Sequence, residues 1–351
     1  MTTELDPFAG LPAPISAALV ARGFTELTAV QKAVVEAESQ GRDLRISSQT
    51  GSGKTVAIGI ALAAHFMEGP KRSSDKNKSA KKTGPPSNPR GSAARPTALV
   101  VVPTRELAAQ VQNELQWLYA NLKGLSVQVV TGGTSILMER RALARGPALI
   151  VGTPGRLLDH MRNRAINCDS IDHVILDEAD QMLDMGFREE LEGVLEQLPK
   201  SSASHLLSAT FPRAVVHLAD QYQRNVLAVE GTRLGVANAD IQHIAYSIRR
   251  HETYAALVNV PLLAGDSRRL PFVNRRADST DLAEKLASDG FGAAPFSGEL
   301  AQAQRTRTLA AFKNGTFNIL VSTDVAARGI DVPDISTVVH IDPPRTSEAY
   351  I

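Results

Sequence analysis

Short, almost uninterrupted apolar runs alternate along this chain with longer stretches whose apolar residues recur every three or four positions. The runs Ala98–Val102, Val127–Val130, Ala148–Val151, His173–Leu176, Leu206-Leu207 and Val226–Val229 read as buried strands. Leu11–Arg22, with Ile15, Leu19 and Val20 on one face, predicts a helix that stops at Gly23. Thr28 suits the N-cap of a second helix over Ala29–Glu38, and Arg105–Leu118 reads as another. Continuous Val, Ile and Leu runs between helices indicate a parallel sheet covered on both faces. The pattern then repeats. Ile241–Ile248 opens a second alternating set, followed by a helix near Glu252–Leu263, the run Phe272-Val273, a helix over Ser279–Ser288, Phe296, a helix over Gln302–Asn314, and the runs Ile319–Ser322 and Val338–Ile341. The fold class is therefore α/β, a doubly wound parallel sheet occurring twice in tandem. Domains are expected over 1–230 and 241–351, joined by a linker at 231–240.

Composition agrees with this division. A chain of 351 residues can bury two cores, and 43% apolar with 21% charged residues is ordinary for a globular protein. The start of the sequence lacks the basic-then-apolar order of a secretory leader, and no apolar run approaches membrane-spanning length. A single cysteine, Cys168, cannot form an internal disulfide, which fits a reducing cytoplasm; with only eight scattered His beside it, zinc is not expected. The net charge of +1 is unevenly spread: Gly69–Pro96 holds eight basic residues against Asp75 alone, so the remainder carries about −6. That stretch has no apolar periodicity and reads as a disordered surface insert, either a solvated loop without a role or a basic arm for phosphates.

Candidate chemistry centres on Ser48–Thr55, Ser-Gln-Thr-Gly-Ser-Gly-Lys-Thr, between an apolar run (Leu44, Ile46) and the small-residue run Val56–Phe66. Strand, glycine turn and helix in that order are the context a phosphate-binding loop requires, with an ordinary glycine turn before a helix as the plain alternative. Gly51 and Gly53 let backbone N–H groups approach phosphate oxygens, and the helix adds its positive end. Lys54 would reach the β/γ-phosphates and the Thr55 hydroxyl would ligate Mg²⁺; Ser48 stands where the general pattern has its first glycine. Asp177-Glu178-Ala179-Asp180 follows a buried strand, at the carboxyl edge where open α/β sheets take ligands. Asp177 is the candidate for holding Mg²⁺ with the loop, and Glu178 for deprotonating an attacking water. Taken alone, the same four residues also read as an acidic helix N-terminus.

Together these stretches resemble the DEAD-box RNA helicases, and the resemblance runs through almost the whole chain. Gly23-Phe24, Thr28 and Gln31 resemble the Q motif, although Leu27 stands where the family usually has Pro; Ser48–Thr55, including Gln49, Thr50, Gly51, Ser52 and Gly53, matches motif I. The resemblance implies two RecA-like domains clamping ATP and single-stranded RNA, with the Gln31 amide reading adenine. Pro103-Thr104-Arg105, Gly132-Gly133 and Thr153-Pro154-Gly155-Arg156 match the motifs that implies contact the RNA backbone. Helix capping is the plain alternative for Thr104 and Thr153. Ser208-Ala209-Thr210 matches motif III, implying hydroxyls on Asp180 that couple the nucleotide to domain closure. In the second half, Phe272-Val273-Asn274 resembles motif IV, Gln302 and Arg305 the Gln-x-x-Arg element, and Thr323–Asp331 a full motif V. The implied roles are RNA contact for Asn274, Gln302, Arg305, Thr323 and Asp324, ATP contact for Gly329 and Asp331, and interdomain coupling for Arg328.

The pattern also breaks. The family continues from a stretch like Glu348-Ala349-Tyr350-Ile351 into an arginine-rich motif VI that this sequence does not contain. The second domain is accordingly expected to be incomplete, and the resemblance leaves two readings: an RNA-unwinding ATPase, or an ATP- and RNA-binding protein with little turnover. Pro261, inside a predicted helix, and Pro271, at what should be a central strand, are further irregularities, expected to break a helix and to mark a strand start or edge. Ser297-Gly298 replaces the more usual His-Gly.

Overall fold

A computed structural model of the chain describes residues 7–36, 41–48, 52–68, 93–231, 241–264, 267–330, 332–344 and 350. It divides into two compact units, Met1–Leu234 and Gly235–Ile351.

The first unit begins with helices α1 (Ala13–Ala21) and α2 (Ala29–Glu36), then β1 (Leu44–Ser47) and α3 (Lys54–Glu68). There follow β2 (Ala98–Val101), α4 (Arg105–Leu118), β3 (Val127–Val130), α5 (Ile136–Leu143), β4 (Leu149–Gly152) and α6 (Pro154–Arg162). The unit closes with β5 (His173–Leu176), α7 (Ala179–Asp184), α8 (Arg188–Leu195), β6 (Ala203–Ser208), α9 (Arg213–Tyr222) and β7 (Leu227–Glu230). The seven strands pair in the order β3-β4-β2-β5-β6-β1-β7, and every pairing is parallel.

Period-two alternation sorts the strand residues onto two cores. Ile46, Ala98, Val100 and Val151 face Ile15, Leu19, Ile58, Leu62, Leu115 and Leu118 of α1, α3 and α4. Leu99, Val101, Ile150 and Leu206 face Leu157, Met161, Leu191 and Leu218 of α6, α8 and α9. Helices α3 and α4 cross closely because Gly59 has no side chain: a Cβ there would lie 2.5 Å from Leu118 Cδ2 and 2.9 Å from Leu115 Cδ2. The buried Tyr119 hydroxyl donates to the Gly59 carbonyl at 2.8 Å across the same crossing.

The second unit contains α10 (Thr253–Ala264), β8 (Arg268–Phe272), α11 (Arg276–Ser288), β9 (Ala293–Phe296), α12 (Gln302–Lys313), β10 (Ile319–Ser322), α13 (Asp324–Ala327) and β11 (Ile335–His340). Its parallel sheet runs β9-β10-β8-β11, the same order as β3-β4-β2-β5 in the first unit. Phe296, Phe312, Leu270 and Leu320 fill one face, Leu257, Leu286, Ile319 and Val321 the other.

Four expectations are corrected. Ala94–Pro96, assigned to the disordered insert, are held: Ala94 is 2% exposed, its N–H donates to Ala165 and it bridges Ile166. Residues 69–92 of that insert, and 232–240 of the linker, lie outside the described residues. Ile241–Ile248 occupies the place in chain order that β1 has in the first unit, but forms no strand and exposes Ile241, Ile244, Tyr246 and Ile248. In the first unit β6 lies between β5 and β1; among the described residues of the second, no strand lies beyond β11, so the run has no ladder to join. Helix α10 continues through Pro261 to Ala264. Pro271 sits inside a central strand, paired to Val339 of β11, while the β8–β10 ladder pairs Arg269 and Phe272 and skips it. The missing N–H is accommodated by that gap.

Gly59→Val is expected to destabilise the first unit by about 1–3 kcal/mol through overpacking at the α3–α4 crossing, measured by urea denaturation followed at Trp117.

Candidate functional site

Because the sheet is parallel, the carboxyl ends of β1, β5 and β6 lie side by side, and each delivers a polar residue. Ser48 follows β1, Asp177 follows β5 and Ser208 ends β6; the Ser48 N–H donates to the Ser208 carbonyl at 3.2 Å.

Helix α3 starts at Lys54, and the Lys54 ammonium, only 6% exposed, donates to the Ser48 carbonyl at 2.6 Å. Gly53 has φ +85°, and a Cβ there would come within 2.6 Å of Gln31 Nε2, so both its conformation and its surroundings require glycine. Thr28 and Gln31 brace this loop. The Thr28 hydroxyl donates to the Ser52 carbonyl at 2.9 Å, and Gln31 Nε2 to the Gly53 carbonyl at 3.3 Å. Gln31 Oε1 accepts the Thr28 N–H at 3.0 Å, and the side chain is 1% exposed. One amide hydrogen and one lone pair remain for a ligand. Phe24 packs on Trp117 at 5.7 Å between ring centroids. Gln49, Thr50, Gly51 and Asp331 lie outside the described residues.

Asp177 is 4% exposed and its Oδ1 has no hydrogen-bond partner. Burial pushes its carboxyl above the usual carboxylate range, against the opposing pull of Lys54. An orphaned, desolvated carboxylate oxygen beside a lysine-bearing phosphate loop is a fit for a divalent cation, with Thr55 the neighbouring hydroxyl. No cluster of three or more His, Cys, Asp or Glu suited to a metal occurs among the described residues, so such an ion would draw its other ligands from phosphate and water. Glu178 has φ 54° and ψ 51°, a left-handed backbone unusual for a side-chain-bearing residue and costing of order 1 kcal/mol. Asp180 faces motif III as the resemblance implied. Its Oδ2 accepts from the Thr210 N–H at 2.9 Å and hydroxyl at 2.7 Å, and the Ser208 hydroxyl accepts the Asp180 N–H at 3.3 Å.

A second cluster lies at the carboxyl ends of β2, β3 and β4. Arg105 lies across the Gly132-Gly133 turn, where a Cβ on Gly133 would meet its guanidinium at 2.3–2.9 Å. Thr104 caps α4, its hydroxyl accepting the Leu107 N–H at 3.2 Å, whereas Thr153, at the head of α6, makes no such cap. Pro103 and Pro154 are buried within these turns, one immediately before Thr104 and the other opening α6. Arg156 donates through Nη1 to Glu139 and to the Thr134 carbonyl. Glu139, which no sequence motif had marked, is held at about 2: burial alone would raise it, but hydrogen bonds from His160, Thr134, the Thr131 N–H and Arg156 outweigh that.

In the second unit the corresponding edge carries Asn274, exposed with its N–H on Asp342 at 2.9 Å, and Thr323, which caps α13. Asp324 accepts the Val325 N–H at 2.8 Å, Gln302 opens α12, and Gly329 has φ 69° beside a half-buried Arg328. Arg305 is not an open contact: it stacks on Phe296 at 4.3 Å and donates to the carbonyls of Ser297 and Ala326 at 2.9 and 3.2 Å.

The chain is thus two tandem RecA-like units, the first of which brings Lys54, Asp177 and Asp180 to one sheet edge. Residues 28–218 match the DEAD/DEAH box helicase family and residues 252–351 the helicase conserved C-terminal domain. The chain belongs to the DEAD-box helicase family. DEAD-box ATP-dependent RNA helicase 53 of Oryza sativa subsp. japonica is 35% identical over 338 residues, 95% of this chain and 52% of the relative. ATP-dependent RNA helicase DbpA of Bacillus subtilis is 33% identical, over 95% of this chain and 65% of the relative. Among solved structures, S. cerevisiae Dbp5 bound to RNA and ADP BeF3 is 26% identical with a TM-score of 0.75, covering 97% of this chain and 81% of that one. The DEAD-box helicase Mss116 bound to ssRNA and UDP-BeF is 26% identical with a TM-score of 0.80, covering 98% and 70%. The chain thus spans about half the length of the first of these relatives. No described helix is long and apolar enough to cross a membrane.

Asp177→Asn is expected to raise the melting temperature at neutral pH, because it removes a buried carboxylate whose charged form is disfavoured. The sign follows from the raised value: the advantage vanishes below the ordinary carboxylate value of 3.8 and grows as pH rises through the folded one. Thermal melts of both proteins across pH check it.

Proposed function

We propose that the protein is an ATP-dependent RNA helicase, coupling ATP hydrolysis to local unwinding or remodelling of RNA. The observation that supports this best is the juxtaposition of Lys54, the partnerless Asp177 oxygen and the Asp180–Thr210 pair along one sheet edge. In this reading the 48–55 loop and Lys54 take the triphosphate, while Gln31 and Phe24 receive the base. Thr55 and Asp177 would hold Mg²⁺, which neutralises phosphate charge when bound. Glu178 accepts a proton from the attacking water, and its strained backbone fixes where that carboxylate stands. Ser208 and Thr210 report on the nucleotide through Asp180, and in the second unit this reading assigns ATP contact to Gly329 and Asp331 and coupling to Arg328.

RNA is taken by its backbone in this reading. Thr104, Arg105, Gly132, Gly133, Thr153 and Arg156 offer hydroxyls, N–H groups, helix N-termini and guanidinium, a set that positions phosphates without reading sequence. Within the second unit, Asn274, Gln302, Thr323 and Asp324 are assigned the same kind of contact, and Arg305 holds the Ser297 and Ala326 carbonyls in place. The single half-buried Cys168, whose thiol burial pushes up to about 11, suits a reducing cytoplasm.

Three variants test the reading. Lys54→Ala is expected to abolish ATP binding by fluorescent-nucleotide titration; unchanged affinity would remove the basis of the assignment. Glu178→Gln should bind ATP within about threefold of wild type while losing 10²–10⁴ in RNA-stimulated phosphate release. Arg105→Ala should weaken single-stranded RNA binding and leave ATP affinity intact.

A further inference from the structure

Glu139 belongs to none of the motifs above, yet two elements of the RNA-facing cluster meet on it. It sits on α5, an eight-residue helix whose buried residues are Glu139 and Leu143 alone. The rest of that helix is turned outward, with Ile136, Leu137 and Met138 exposed, so one leucine and one carboxylate anchor it. The carboxylate is 6% exposed and faces donors only. It accepts from the Thr131 N–H at 2.9 Å, Arg156 Nη1 at 2.5 Å and His160 Nε2 at 2.8 Å, with the Thr134 hydroxyl also within reach. These partners come from the turn after β3 and from both turns of α6. His160 is fully buried and its Nδ1 has no partner; its Nε2 faces a carboxylate oxygen that can only accept, so Nε2 is the nitrogen that donates.

We propose that Glu139 is the positioning residue of the RNA-binding face, fixing the Gly132-Gly133 turn through the Thr131 amide and the Arg156 guanidinium through a buried ion pair. The proposal rests on the RNA reading of that face. An acceptor-only group is required: glutamine presents one oxygen and an NH₂ to the same donors, so a donor would face a donor. Matching the charge of Arg156 also means that this arginine contributes direction more than net charge. Removing the carboxylate therefore loses position and gains a mobile positive charge.

Those two effects separate in a salt series. Binding of a fluorescent single-stranded oligouridylate, with a non-hydrolysable ATP analogue present, is measured from 50 to 300 mM salt for wild type, Glu139→Gln, Arg156→Gln and the double variant. At about 200 mM salt, Glu139→Gln is expected to bind roughly tenfold more weakly, with a log–log salt slope steeper by about 0.7, the value for one extra phosphate contact on a single strand. Arg156→Gln should weaken binding without steepening the slope, and the double variant should be no weaker than the weaker single variant and regain the wild-type slope. ATP affinity should stay within twofold throughout, which shows that the variants are folded. Thr134→Val, which leaves the ion pair in place, should keep the wild-type slope.

Wild-type affinity and slope in Glu139→Gln would overturn the proposal, as would losses that simply multiply in the double variant. Weaker binding with an unchanged slope would reduce Glu139 to a packing residue and overturn it as well. Wild-type binding that Arg105→Ala weakens shows that the RNA reading stands whichever way Glu139 falls. Absence of wild-type binding removes both.

Discussion

Parallel pairing of β5, β6 and β1 is the constraint on which the first unit's chemistry depends. Three strands that share a direction must end on one edge, and here those ends carry Asp177, Ser208 and Ser48. Antiparallel pairing of any one of them would send its polar residue to the opposite edge, however good the apolar packing. The helices that force the parallel order also cover both faces, so the edge is where ligand can enter. The second unit repeats this logic with the same strand order, which is why Asn274 and Thr323 appear at its carboxyl ends.

Two buried carboxylates show how differently the fold treats charge. Glu139 has several donors converging on it and is held far down the acid range. Asp177 is as deeply buried, keeps an oxygen with no partner, and is pushed the other way. Burial is common to both; supply of hydrogen bonds decides the sign. A carboxylate the protein fully satisfies serves the protein's own geometry. One it leaves unsatisfied carries a desolvation cost that an incoming cation can relieve. Glu178, adjacent to Asp177 and held in a left-handed backbone, adds conformational strain at the same spot.

Much of this was legible in the sequence, for identifiable reasons. Arg105–Leu118, Val127–Val130 and His173–Leu176 coincide with α4, β3 and β5, because each is a strongly periodic or uniformly apolar segment with clear punctuation. Lys54, Asp177 and the Asp180–Thr210 pair were marked by motifs whose spacing carries chemistry. Glu139 was not: a lone glutamate has no local signature, and its partners stand five to twenty-one residues away. Ile241–Ile248 misled because alternation signals a strand's willingness to pair, not the presence of a neighbour. Pro271 shows a strand tolerating what local rules forbid, by opening its ladder at one position.

The return of the chain at Ala94 has a practical corollary. Helix α3 starts at the carboxyl edge with Lys54 and runs back to Glu68, and Ala94 is pinned beside Ile166 just before β2 begins. Both attachment points of residues 69–92 therefore lie at the amino-terminal edge of the sheet, across the full strand length from Asp177. A fluorophore, affinity handle or whole reporter domain spliced in there would attach at the edge opposite Asp177.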